Sequence, residues 1–116
     1  MLSTISRFNY TIKSFEVLLQ ESRLDLTKTK IKLIFRDESV IFLREIIIKE
    51  VLCDYSYHWL SPDGSLIIRW DNTPHFPEVS ETFPHHKHVG LETNVSPSHE
   101  QNLLDVLHFI KQATNQ

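Results

Sequence analysis

The chain has 116 residues, 41% of them apolar, which is enough for the core of one ordinary domain and too little for two. Its net charge of −3 excludes a broadly basic nucleic-acid binder, and its two glycines, Gly64 and Gly90, exclude a glycine-rich phosphate loop. The lone cysteine, Cys53, excludes an intramolecular disulfide framework and fits a reducing compartment. No apolar run reaches the ~18 residues of a bilayer span, and no signal-peptide pattern opens the chain. The expectation is a soluble, cytoplasmic protein of one domain, residues 1–116, with no membrane partner.

Residues 1–10 read as a loose lead-in. From Ser14 to about Leu24, Phe15, Leu18, Leu19 and the Ser22/Leu24 region recur at helical spacing, with Ser14 as N-cap, which predicts a short amphipathic helix. Lys30 to Phe35 alternates polar and apolar and predicts a strand. Asp37-Glu38-Ser39 is a turn. Val40 to Val51 and Val51 to Leu60 follow as two Ile-, Val- and aromatic-rich strands. Ser61-Pro-Asp-Gly64 is a hairpin turn, because Pro fixes φ and Gly accepts a positive one. Ser65 to Trp70 is the fourth strand. Asp71 to about Pro97 reads as a long loop, too long to be idle in a small domain, and its Phe76-Pro77 and Phe83-Pro84 pairs suggest anchoring. Ser98, with Gln101 three residues on, resembles a capping box opening a C-terminal helix whose stripe is Leu103, Leu104, Leu107 and Ile110. The predicted fold class is α+β: a four-stranded antiparallel meander with an N-terminal and a C-terminal helix on one face.

The 61–64 turn suggests a register. Ser61 opposite Ser65 sets Leu60 opposite Leu66, Trp59 opposite Ile67, His58 opposite Ile68, Tyr57 opposite Arg69 and Tyr55 opposite Asp71. Side chains alternate along a strand, so Tyr55, Tyr57, Arg69 and Asp71 share one face. Leu60, Leu66, Ile68 and Trp70 share the face that meets the helices, and His58 falls with them.

The polar face leads into a histidine-rich segment: four of the seven histidines, His75, His85, His86 and His88, lie between positions 75 and 88. A guanidinium grips phosphate bidentately, a tyrosine stacks on bases, and histidine moves protons near neutral pH. Metal-free RNA cleavage needs a base, an acid and a cation, and these side chains supply all three. The spacing His86-Lys-His88-x₃-Glu92 also matches a cupin-type metal motif. A divalent metal on His86, His88 and Glu92 is therefore the alternative to a cofactor-free site. The scarcity of glycine turns and the helices at both ends argue against a cupin barrel.

Tyr55-Ser-Tyr57-His58, Arg69-Trp-Asp71-Asn72-Thr-Pro74-His75, Phe83-Pro84-His85-His86-Lys87-His88 and the Ser-Pro-Ser98-x-Glu100 helix start together resemble the TumE-type toxins of bacterial toxin–antitoxin pairs, from about Lys30 to Ile110. Relatives of that pattern carry paired histidines after the first proline, and here Phe76 replaces the second. The resemblance implies a growth-inhibiting ribonuclease with a small antitoxin as partner and RNA as substrate, RelE- or barnase-like in outline. A homodimer is left open. In that reading Arg69 holds the scissile phosphate and His75, His85, His86 and His88 share acid and base roles. Lys87 adds charge, Tyr55 and Tyr57 position or stack, Asp71 orients Arg69 or a histidine, and Asn72 fixes the loop. The rival is a non-enzymatic metal- or anion-binding module.

Overall fold

Seven strands form one antiparallel sheet in strict chain order, seen in a computed structural model that describes residues 1–114. The order is α1 (Leu2–Ser6), β1 (Ile12–Arg23), β2 (Leu26–Phe35), β3 (Val40–Ile48), β4 (Val51–Leu60), β5 (Leu66–Asp71), β6 (His86–Val89), β7 (Val95–Pro97) and α2 (Leu103–Thr114). The α+β class and the meander agree with the sequence. The four-stranded sheet, and with it the RelE- or barnase-like outline, does not.

The expected helix at 14–24 is instead β1, and the reason is local. The β1–β2 register shifts between Val17 and Leu19, leaving Leu18 as an extra residue. That bulge interrupts the alternation and places Phe15, Leu18 and Leu19 at a spacing that imitates a helix. The N-terminal helix is the short α1, upstream of the expected one. Two further strands, β6 and β7, lie within the expected long loop. Each is too short, at 4 and 3 residues, to show a periodicity. The hairpin between β3 and β4 turns on Lys49 and Glu50 at φ 50° and 67°. Two positive φ values suit the primed hairpin turns, though neither residue is a turn former.

One sheet face is the core. Ile31, Leu33, Phe35, Ile41, Leu43, Tyr55, Tyr57, Trp59, Ile68 and Trp70 are buried together with Ile5 of α1 and Leu103, Val106, Leu107 and Ile110 of α2. The α2 stripe follows i, i+3, i+4, i+7, and each of its side chains contributes roughly 1.5–3 kcal/mol by leaving water. Asn102, not Ser98, begins the helix: its Oδ1 accepts the Asp105 N–H at 2.9 Å. Buried Ser98 instead takes its backbone N–H to Thr82 Oγ1 and donates its hydroxyl to the Glu100 carbonyl. The capping pattern exists, four residues later than expected, where the apolar stripe starts. Both helices cover the same face; the other face is open apart from its β5–β6 end, where Phe76 of the 72–85 loop lies over His86 and His88. Among the described residues no helix is long and apolar enough to cross a membrane.

Candidate functional site

The register between β4 and β5 decides which side chains meet. Trp59 pairs with Ile68 and Leu60 with Leu66, so Ile67 is extra. That bulge moves every later pair by one residue from the sequence expectation: His58 pairs with Arg69, Tyr57 with Trp70 and Ser56 with Asp71. A one-residue slip exchanges faces. Tyr55 and Tyr57 therefore lie on the helix-covered face, 1% and 0% exposed, away from Arg69 and Asp71. His58, expected on the apolar face, is on the open one beside Arg69.

The β6 strand divides the histidines in the same way. Arg69 pairs with His88 and Asp71 with His86, which puts both imidazoles on the Arg69 side. Lys87 points to the helix side, where its Nζ lies 3.1 Å from Glu100 Oε1 and over the Phe109 ring. His85 is there too: its Nδ1 is 2.8 Å from the Tyr55 hydroxyl. Burial pushes the Tyr55 phenol up, and burial first, then His86, pushes His85 down. Both shifts favour neutral groups, so the two share one hydrogen bond between uncharged partners. His75 is exposed on the 72–85 loop. The structure thus gathers Arg69, Asp71, His86 and His88, and separates them from His85, Lys87, Tyr55 and Tyr57.

Asp71 is the hub. Its Oδ1 accepts the Thr73 N–H at 3.1 Å and the Thr73 hydroxyl at 2.8 Å, an Asx turn that aims the chain off β5. Arg69 Nη1 lies 3.4 Å from its Oδ2, His86 Nε2 2.9 Å from its Oδ1, and His88 Nε2 3.6 Å from its Oδ2. Asn72 does not make the Asx turn; it extends the sheet, accepting the Tyr55 N–H and donating to the Cys53 carbonyl, each at 3.0 Å.

The proton positions follow from the partners. A carbonyl only accepts, so His88 donates Nδ1–H to the Glu92 carbonyl at 2.7 Å. A guanidinium only donates, so His88 Nε2 accepts from Arg69 Nη2 at 3.1 Å. In this arrangement His88 is the neutral Nδ1–H tautomer. His86 likewise donates Nδ1–H to the Pro84 carbonyl at 3.0 Å. Its buried Nε2 has no hydrogen-bond partner, because the 2.9 Å approach to Asp71 lacks hydrogen-bond alignment. Phe76 closes this cluster from the loop, its ring centroid 4.8 Å from that of His86 and 5.5 Å from that of His88. Phe76 is thus the anchor expected of the first aromatic-proline pair, while Phe83 is exposed.

Arg69 links the buried cluster to solvent. Its side chain is 31% exposed, and Nη2 also donates to the exposed Glu92 carboxylate at 2.7 Å. His58 stands beside it, partly buried. Burial is the largest effect and lowers the His58 pKa; the Glu92 carboxylate comes next and opposes it, and the Arg69 charge adds the smallest, lowering contribution. A cation, a carboxylate and a largely neutral imidazole therefore share one patch of the open face. Hairpin pairing alone, without its bulge, could not reveal His58. Glu92 was legible only as the end of a metal-like spacing; Arg69 is its closer partner, with its carboxylate 3.7 Å from His88 Nδ1.

The same face continues as a cross-strand band. Lys32 pairs with Phe42, Phe42 with His58, and Lys30 with Arg44. Phe42 is 41% exposed, and Lys32 Nζ sits 5.8 Å from its ring centroid.

Neither the curated proteins nor the solved structures hold a significant match to this chain. A family model does match, over residues 3–114, and its description is Toxin TumE. The match spans nearly the whole chain, including the strands that carry Arg69, Asp71, His86 and His88, and the protein therefore belongs to the TumE toxin family.

Proposed function

We propose that this toxin inhibits growth by cleaving RNA at the Arg69 patch without a metal, and that an antitoxin protein neutralises it. The observation that carries the reading is the setting of Arg69, held from beneath by His88 and Asp71 and flanked at the surface by His58 and Glu92. The buried contacts fix the guanidinium before substrate arrives, which lowers the ordering cost of binding a phosphate. The exposed Glu92 pair is weak, of the order of 0–1 kcal/mol, so an incoming phosphate displaces it.

The chemistry then divides between two accessible groups. A largely neutral His58 suits a general base: its imidazole takes the 2′-hydroxyl proton as that oxygen attacks phosphorus, the imidazolium so formed hands the proton to the departing 5′-oxygen, and the displaced Glu92 carboxylate beside it steadies the imidazolium charge. Arg69 takes the charge that develops on the phosphoryl oxygens. His86 and His88 orient rather than react, since both are at most 2% exposed. His75 remains an accessible reserve on the loop. Lys30, Lys32 and Phe42 extend the patch into a cationic and aromatic track, the combination that holds single-stranded RNA through its backbone and bases, while Arg44 beside them is paired with Asp54 at 2.8 Å. Such a track needs no basic excess in the whole chain.

Purified protein incubated with a defined single-stranded RNA, with and without chelator, tests the reading. The expected result is cleavage in both, with no loss in chelator. Intact RNA in both, with growth arrest persisting on induction, would show that the toxin acts by another route.

A further inference from the structure

Beneath Arg69 the structure assigns a second binding site: we infer that Asp71, His86 and His88 form a three-ligand site for a divalent transition ion of the zinc class. It stands independently of the RNA reading, and either can fail without the other.

Four observations converge on it. The ligating atoms of the three residues lie within 4.8 Å of one another, and all three residues are buried. Both imidazoles give their Nδ1–H to backbone carbonyls, His86 to Pro84 and His88 to Glu92. That outer contact fixes the tautomer a metal-bound histidine uses and turns the Nε2 lone pairs inward. The Nε2 atoms lie 2.9 and 3.6 Å from the Asp71 oxygens. A tetrahedral ion with bonds of ~2.0–2.1 Å separates its ligands by about 3.3 Å, which the two distances bracket. Finally, the buried His86 Nε2 has no partner, although a carboxylate oxygen stands 2.9 Å away. Two sets of lone pairs at that distance repel unless positive charge lies between them. A proton on Nε2 would not be aligned to bond Oδ1, whereas an ion set off the line between them would bond both.

This triad differs from the one that spacing suggested. Asp71 takes the place of Glu92, whose carboxylate turns to Arg69 at the surface. Two nitrogens and one carboxylate leave a coordination position for water, and the set suits Zn, Fe, Co or Ni rather than Mg or Ca.

Binding has a consequence for Arg69. His88 Nε2 has one lone pair, and it now accepts from Arg69 Nη2. An ion that takes the lone pair releases Nη2 from His88, and by drawing on the Asp71 carboxylate it weakens the 3.4 Å contact to Nη1, which leaves the exposed Glu92 as the stronger partner of Arg69. The ion and the anchored arginine are therefore alternatives, and the metal opposes whatever Arg69 does.

The test uses untagged, metal-stripped, full-length protein titrated with zinc chloride, read by native mass spectrometry and by nitrogen-15 NMR of the imidazoles. The expected result is one equivalent bound, with the Nε2 resonances of two histidines moving together while the Nδ1–H signals persist. D71N should weaken binding by at least ~100-fold, more than the loss of an outer partner brings. H75A and H85A should bind as wild type does. Absence of binding to the folded wild-type protein overturns the inference. So does zinc that moves only the resonances of exposed histidines, or that survives D71N and disappears with H75A.

Discussion

Replacing Asp71 by Asn removes a charge and almost no volume, which makes it a clean probe of the hub. The carboxylate is 2% exposed. An Asn carbonyl oxygen at the Oδ1 position keeps both bonds from Thr73. That orientation turns the amide nitrogen toward Arg69 Nη1, 3.4 Å from the oxygen it replaces, donor against donor. Breaking a buried ion pair by removing one partner costs ~3–5 kcal/mol. Arg69 is about one-third exposed and keeps Glu92, so solvent screening cuts that to about 2 kcal/mol. Urea unfolding of wild type, D71N, R69M and the double variant reads the pairwise part directly. A coupling of about 1 kcal/mol is expected for residues in one network. A coupling within about 0.3 kcal/mol of zero would show that Asp71 does not hold Arg69.

Three further outcomes follow from the same contacts. N72A loses the two bonds that tie the loop to β4 and should destabilise by about 1–2 kcal/mol, read as a lower urea midpoint at unchanged m-value. Burial raises the Glu45 pKa above its usual 4.5, against a smaller opposing bond from Tyr57. The folded state therefore holds the Glu45 proton more tightly than the unfolded one, and stability from this group is full below pH 4.5 and is lost as pH rises through the raised value. E45Q keeps an acceptor for the Tyr57 hydroxyl and should be the more stable protein at pH 7, the advantage vanishing in acid; equal differences at both pH values would refute this. The lowered His58 pKa has the opposite sign. Stability from His58 is full above the unfolded value of 6.5 and falls as pH drops through the lower folded one, and the acid limb of RNA cleavage should likewise lie below 6.5. An acid limb unchanged in H58Q would remove His58 from the base role.

Much of the site was legible because it is local. Arg69 and Asp71 sit two apart on a strand, and so do His86 and His88, so each pair shares a face wherever its strand goes. The 61–64 turn and the α2 stripe are equally short-range signals. What escaped was set by single inserted residues. Leu18 disguised β1 as a helix, and Ile67 moved Tyr55 and Tyr57 to the core while bringing His58 beside Arg69. A bulge has no composition signature here, since neither position is a glycine. The pairing of β6 with β5 was likewise invisible. Four residues carry no period, and the partner choice depends on a 14-residue connection, residues 72–85, anchored by Phe76. Sequence named Asp71, His86 and His88 separately; only the strand pairing made them one cluster.

RNA cleavage at the Arg69 patch requires the helix-free face of the sheet to be the working one. The direct measurement compares RNA cleavage rates of wild type, E92Q, H58Q and H85A in chelator, each checked for an intact fold. Glu92 is exposed, so its substitution tests chemistry rather than folding. A loss of ~100-fold or more in E92Q and H58Q, with H85A cleaving as wild type does, is the expected result. Full activity in both open-face variants, with activity lost in H85A, would place the working site on the helix side and contradict it.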